Sequence, residues 1–290
     1  MTWEKNMSTQ PRAVARVIIP QPTLEGAGVK LKRSIATQTL DYLDPFLLWD
    51  HFGSNNPADF LPGFPMHPHR GIETVTYMLA GSVNHRDSLG NAGTIYPGDM
   101  QWMTAGRGIL HEEMPKPADD GRMEGFQLWV NLPAKLKMTQ PRYQEIASKN
   151  IPAYTRDDGI KMRVIAGRVD GVEGAVTTIY ADPTYLDVTM PAHSTFAHPI
   201  ESGDTAFAYI FEGVGKFEID GKTITAPRLV VFGDGDSINV TTDAQPVRFV
   251  LVSGKPLYEP IARYGPFVMN TREEILQALR DLQNGTFVRD

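Results

Sequence analysis

The chain has 290 residues, a net charge of −6 from 34 acidic and 28 basic side chains, and no cysteine. That length holds one large domain or two ordinary ones, and a hydrophobic content of 41% is that of a soluble globular protein. The missing cysteine excludes disulfides, thiolate metal sites and iron–sulfur ligation. No apolar run approaches the roughly 20 residues of a membrane span. Basic residues cluster only at Lys30-Leu31-Lys32-Arg33, read as a solvated strand end, so nucleic-acid binding is not expected. Met1 to Asn6 lacks the basic start and apolar stretch of a secretory signal. A soluble, cytoplasmic protein is the expectation.

Taken in chain order, β signals dominate. Pro65-Met66-His67-Pro68-His69-Arg70-Gly71 reads as extended, because Pro68 fixes its own φ and biases His67 the same way. Thr74 to Leu79 and Phe126 to Asn131 are short runs rich in β-branched and aromatic residues, with a turn at Pro97-Gly98-Asp99 between them. Leu132 to Ile160, rich in Pro, Lys and Asp, reads as a connection. Strand-like runs follow at 177–180, 185–189, 207–211, 229–232 and 247–252. Asp220-Gly221 predicts a two-residue hairpin turn between Phe217-Glu218-Ile219 and Thr223-Ile224-Thr225. One helix is predicted near the C-terminus. Thr271-Arg272-Glu273-Glu274 has capping-box spacing, Ile275, Leu276, Leu279 and Leu282 form an apolar stripe, and Asn284-Gly285 gives a stop.

The halves echo each other. Tyr77-Met78-Leu79-Ala80-Gly81 resembles Tyr209-Ile210-Phe211-Glu212-Gly213 at an offset of 132. Repeated short strands fit two barrels or sandwiches in tandem. At that offset His67, His69 and His111 fall on Pro199, Glu201 and Asp243. The second half keeps only His193 and His198, read as surface or loop residues. If the halves are duplicates, only the first retains a metal site.

That site is the main functional signal. Side chains at i and i+2 of an extended segment share a face, so His67 and His69 converge, and so do His111 and Glu113. Glu112, between the last two, should point away. Imidazoles with a carboxylate suit a borderline divalent metal: Fe(II), Mn, Ni, Cu or Zn. Glu73 is a rival carboxylate, because its offset of four from His69 also aims it inward in an unbroken strand. His85 and Gln127 are weaker pocket candidates. Arg70 and Arg107 are read as salt-bridge or rim residues, and Met78, Trp102 and Met103 as barrel packing.

The run His67-Pro68-His69-Arg70-Gly71-Ile72-Glu73-Thr74-Val75-Thr76-Tyr77 resembles the signature of the pirin family of the cupin superfamily. The block from Pro97 to Pro115, ending Gly108-Ile109-Leu110-His111-Glu112-Glu113-Met114-Pro115, and the run Gln127 to Pro133 match it in order. The resemblance implies an all-β bicupin: a metal-binding N-terminal cupin domain over residues 1–140, and a C-terminal cupin domain over 141–290 that lacks metal ligands and ends in a short helix. It selects His67, His69, His111 and Glu113 as ligands, iron as the usual metal, and Glu73 as a supporting group. It also implies one of two roles. One is a quercetin 2,3-dioxygenase activity that opens a flavonol-like ring with O2, with Glu113 as proton acceptor. The other is an iron-dependent, redox-sensing partner of a transcription factor or metabolic enzyme, without turnover. Fold alone does not choose between them.

Overall fold

The computed structural model describes residues 10–177, 179–180 and 183–288. The Met1–Asn6 reading lies outside them. Two compact β units are present, and no single cut near residue 140 separates them. One unit joins Pro20–Ile151 to the short 175–182 segment and to the C-terminal stretch from Pro256. The other joins 152–174 and 183–255 to the N-terminal residues up to Ile19. The helix expected to end the second domain therefore belongs to the first unit.

In the first unit, a seven-stranded antiparallel sheet runs in the order Arg142–Ile146, Met100–Thr104, Ile72–Ala80, Met123–Asn131, Phe46–Ser54, Val29–Ile35, Gln21–Glu25. A four-stranded sheet holds Phe64–His69, Ile109–Lys116, Ser82–Asp87 and Ala92–Ile95. Alternation along Ile109–Lys116 is regular, with Ile109, His111, Glu113 and Pro115 buried, as period two requires of a half-buried strand. Met78, Trp102 and Met103 are buried, as expected of barrel packing.

The helix Arg272–Gln283 has its capping box: Thr271 Oγ1 accepts from the Glu274 N–H, and the Glu274 carboxylate accepts from the Thr271 N–H. Gly285, at φ 70°, follows the stop. The buried face differs from the expected stripe. Ile275, Ala278 and Asp281 are buried, while Leu276 and Leu282 are exposed. The reason is polar: Asp281 turns inward to meet Arg70, with Nη1 2.7 Å from Oδ2, and this rotates the face away from Leu282.

In the second unit, Val14–Ile18, Arg228–Phe232, Thr205–Lys216, Val247–Gly254, Thr184–Met190, Lys161–Ala166 and Ala153–Thr155 lie side by side. Thr195–Pro199 pairs with Ser237–Thr241. A dense apolar core including Met190, Phe196, Ile210, Phe217, Val240, Phe249 and Leu251 fills this barrel. The hairpin at Asp220-Gly221 exists with a wider loop than expected. Its ladder stops at the Lys216–Thr223 pair, because Phe217 leaves the strand to enter that core. Thr177, Ile179 and Tyr180 lie outside any strand, and Thr178 is outside the described residues. Gly81 and Gly213, the two ends of the repeated motif, both have positive φ, 70° and 75°. A Cβ there would stand 2.6 Å from the Lys116 carbonyl and 2.1 Å from the Pro246 carbonyl, so the repeat preserves a backbone need as well as a sequence. No described helix is long and apolar enough to cross a membrane.

Candidate metal centre

Phe64–His69 and Ile109–Lys116 pair antiparallel with His67 directly opposite His111. Residues opposite each other share a face, so the two-residue spacing brings His69 into the same group. The register then slips, and Glu113 lies opposite Phe64. The extra residue is on the 64–67 side, a bulge that re-aims a strand beside a site. Nitrogens of His67, His69 and His111 all lie within 4.8 Å of one another, the one such metal-competent group among the described residues. His67 Nε2 is 3.1 Å from His69 Nε2, and ring centroids of His67 and His111 are 4.4 Å apart.

These imidazoles are prepared as ligands. The Pro65 carbonyl, 2.9 Å from His67 Nδ1, accepts only, so it places the proton on Nδ1 and leaves the Nε2 lone pair facing inward. His111 is 1% exposed, and neither ring nitrogen has a hydrogen-bond partner. Buried polar atoms are ordinarily satisfied, and a cation among the three rings would partner one of these two nitrogens. Burial, reinforced by the neighbouring His85, lowers His111 to about 4. Burial and the adjacent imidazoles also lower His67 and hold His69 well below its usual range. All three are neutral donors near pH 7. The residues present fit a divalent metal with imidazole preference.

Glu113 stands beside the triad. Its Oε2 is 3.9 Å from His111 Nε2, and Thr76 Oγ1, with a single proton to donate, stands between its Oε1 at 3.3 Å and Gln127 Oε1 at 2.9 Å. Burial raises its carboxyl above the ordinary range, opposed by the neighbouring His67. Glu112 points the other way and forks with Arg86 on the outer face, as the alternation predicts. Glu73 is not with the triad: it is buried and accepts from Thr104 Oγ1 at 2.7 Å.

A cavity of about 560 Å³ opens from this cluster, within the size range of small-molecule sites. His67, His69, Thr76, Glu113, Gln127 and Trp129 line its metal end; Leu31, Leu48, Phe52, Phe60 and Phe64 supply apolar wall. Of the two weaker pocket candidates, Gln127 lines the cavity and His85 does not; nor does Glu73, the rival carboxylate and supporting group. His85 is buried opposite Glu113, with Nε2 2.6 Å from Glu145 and its ring stacked on Tyr143.

Several positions differ from the sequence reading or were missed by it. Arg33, read as part of a solvated strand end, turns inward and forks onto Asp50, Nε to Oδ1 at 2.8 Å and Nη2 to Oδ2 at 2.7 Å. Both line the cavity. Burial pushes Asp50 up to about 6 against the pull of Arg33. Alternation within Val29–Ile35 carried the signal, with Leu31 and Arg33 on one face and Lys30 and Lys32 on the other. Trp129, edge-on to His69 at 5.2 Å, and Thr76 had no separate signal. Arg70 is a salt-bridge residue, but a buried one rather than a rim one. In the second unit His193 is exposed, as expected, while His198 is buried beside Phe196, and burial lowers it to about 4.

The pirin model matches residues 28–130, and a second model, the pirin C-terminal cupin domain, matches 185–288. The chain belongs to the pirin family. It is 46% identical to a pirin-like protein of Caulobacter vibrioides over 95% of this chain and 99% of that one. Human pirin is 43% identical over 94% and 93%. Among solved structures, a quercetin 2,3-dioxygenase from Acinetobacter baumannii superposes with a TM-score of 0.87 at 34% identity, covering 96% of this chain and 99% of that one. The two cupin models agree with two β units in number, although the stretch from Pro256, inside the C-terminal model, packs with the first unit; the three histidines could bind a metal.

Proposed function

We propose that this pirin-family protein is a cytoplasmic, Fe(II)-dependent dioxygenase of the quercetin 2,3-dioxygenase type, acting on a flavonol or related aromatic. One observation carries the reading: three neutral, convergent imidazoles and a buried carboxylate sit at the end of a largely apolar cavity. Imidazole and carboxylate donors with open positions are the iron arrangement of many oxygenases. Similarity to the Acinetobacter baumannii quercetin 2,3-dioxygenase supports the substrate class.

His67, His69, His111 and Glu113 would hold the metal. When bound, it supplies Lewis-acid binding for adjacent hydroxyl and carbonyl oxygens and the redox partner for O2; overall, a flavonol and O2 give a ring-opened ester and carbon monoxide. Glu113 takes the substrate hydroxyl proton, and its raised affinity for protons brings it nearer the value a base needs at neutral pH. Thr76 Oγ1, shared between Glu113 Oε1 and Gln127 Oε1, positions the carboxylate. Trp129, Leu48 and Phe52 exclude water from the aromatic rings. The metal role belongs to the unit containing 20–151. The second unit has none, because apolar side chains occupy its interior.

Oxygen uptake with quercetin, measured beside elemental analysis of protein made in iron-replete medium, tests this. Glu113→Gln should reduce turnover more than metal content; unchanged turnover removes its assigned role. Metal-loaded protein that consumes no oxygen on a flavonoid panel, but captures a partner only in one iron oxidation state, would instead support the redox-sensing interaction role.

A further inference from the structure

Arg33 pairs with Asp50, Asp50 with Gln127, Gln127 with Thr76 and Thr76 with Gln101 across the seven-stranded sheet. Directly paired residues share a face, so five side chains make one polar row. Two residues away on that face lie Leu31 and Phe52 on one side, Leu48 and Trp129 on the other, and all four line the cavity. The row is thus a polar stripe in an apolar wall. Four of the five, Arg33 to Thr76, line the cavity, and Thr76 reaches the metal site, 3.3 Å from Glu113. The row's far end is the Arg33–Asp50 fork, which Glu25 extends, 2.6 Å from Arg33 Nη1. Three strand steps separate Thr76 from Arg33, about 14 Å at the usual interstrand spacing.

A purely structural ion pair gains little from such a place, since burying two charges costs about what their attraction returns. This one also has capacity left. Asp50 and Glu25 take three of the five guanidinium N–H groups, which leaves two Nη hydrogens. The pair lines the same cavity as His67, His69 and Glu113. We propose that Arg33 and Asp50 form a second recognition subsite that binds a phenolic hydroxyl at the far end of a ligand whose other end lies at the metal centre. Arg33 donates to the phenol oxygen, and Asp50 accepts the phenol O–H. The ligand class is an extended polyphenol carrying adjacent chelating oxygens at one end and at least one hydroxyl at the other. The inference rests on the flavonol reading of the site. Specificity follows from the chemistry: a site built to hydrogen-bond a hydroxyl discriminates against the analogue lacking it far better than an apolar wall does.

The test compares two ligands on full-length, metal-loaded protein under anaerobic conditions, by fluorescence titration. 3-Hydroxyflavone has the chelating oxygens and no distal hydroxyl; quercetin has both. Quercetin should bind at least about tenfold more tightly, the worth of a hydrogen bond to a charged group. The double variant Arg33→Met/Asp50→Leu, which leaves no unpaired buried charge, should bring that ratio to within about twofold and leave 3-hydroxyflavone affinity nearly unchanged. Should it fail to fold, Asp50→Asn serves, with a quercetin-specific loss of about threefold or more expected. Equal affinities in the parent protein, or a ratio unmoved by the variants, overturn the subsite. Failure to bind either ligand overturns it together with the flavonol class. The expected ratios without any oxygen uptake would leave the subsite standing and refute the dioxygenase.

Discussion

His111 illustrates how burial writes chemistry at a single residue. A ring that titrates near 6.5 in water is neutral well below that here, so protons compete poorly with a metal at neutral pH. The same physics acts on His198, where no metal is involved. Its folded value is about 4 and its unfolded value near 6.5. Between those values the unfolded chain holds the extra proton, so stability is complete above about 6.5 and falls as pH drops towards 4, by roughly 3 kcal/mol. In metal-free protein the three triad histidines, also lowered by burial, add to the fall, so denaturant midpoints between these pH values should drop in the parent and drop less steeply in His198→Gln. An identical slope in that variant would assign the acid sensitivity elsewhere. At the metal site, Thr76→Val removes the donor to Glu113 and should lower oxygen uptake about threefold to tenfold with metal content retained, checked by parallel metal and oxygen assays. The histidine pairs were legible because spacing by two is local. Their meeting across strands was not, since the register and its bulge depend on residues some forty positions apart. Arg33 was misread for a related reason: a charge run looks solvated until the strand's inward face is known.

Elements far apart in sequence hold the ligand-bearing turn. The Arg70 guanidinium donates Nε to the Arg107 carbonyl at 2.6 Å, Nη1 to Asp281 at 2.7 Å and Nη2 to the Phe287 carbonyl at 3.3 Å, and it lies over the Phe287 ring. Lys137, also buried, donates to the Gly71 and Val268 carbonyls and to Asn131 Oδ1. Gly71 itself has φ 81°, and a Cβ would lie 2.0 Å from the Val268 carbonyl. The His-Arg-Gly run is therefore built to accept the C-terminal strand Phe267–Met269 and the helix beside it. Asp281→Asn leaves a buried guanidinium without its counter-charge and should cost about 3–5 kcal/mol. Because Arg70 adjoins His69, metal affinity should fall as well; a loss of stability alone, seen by calorimetry and metal titration of the same variant, would confine Asp281 to folding. The helix boundaries and cap were legible, as capping chemistry is local. Its buried face was not, because an aspartate on that face makes sense only once Arg70, some two hundred residues earlier, is known to meet it.

At the scale of the molecule, two units of one architecture carry different interiors. Neutral imidazoles and a cavity occupy one, whereas packed Met, Phe, Val, Ile and Leu side chains fill the other. At the repeat offset Pro199, Glu201 and Asp243 stand where the first half has its three histidines. The exchange of terminal segments was not legible, because Val14–Ile18 pairs with Arg228–Phe232 and no local pattern encodes a partner so distant. The division has a thermodynamic consequence. A metal that binds only the folded first unit stabilises it by mass action, about 2.7 kcal/mol at a hundred times its dissociation constant, and contributes no direct contact to the second. Titration should saturate at one metal per chain. Hydrogen exchange followed by mass spectrometry should then show added protection in peptides spanning Phe64–His69 and Ile109–Lys116, with little change in Thr184–Met190 or Val247–Gly254. Substituting His193 and His198 together should leave the stoichiometry at one, whereas His67→Ala should abolish both the binding and the protection. A second equivalent of metal lost with His198, or equal protection across both units on loading, would contradict the assignment of the metal to the first unit alone.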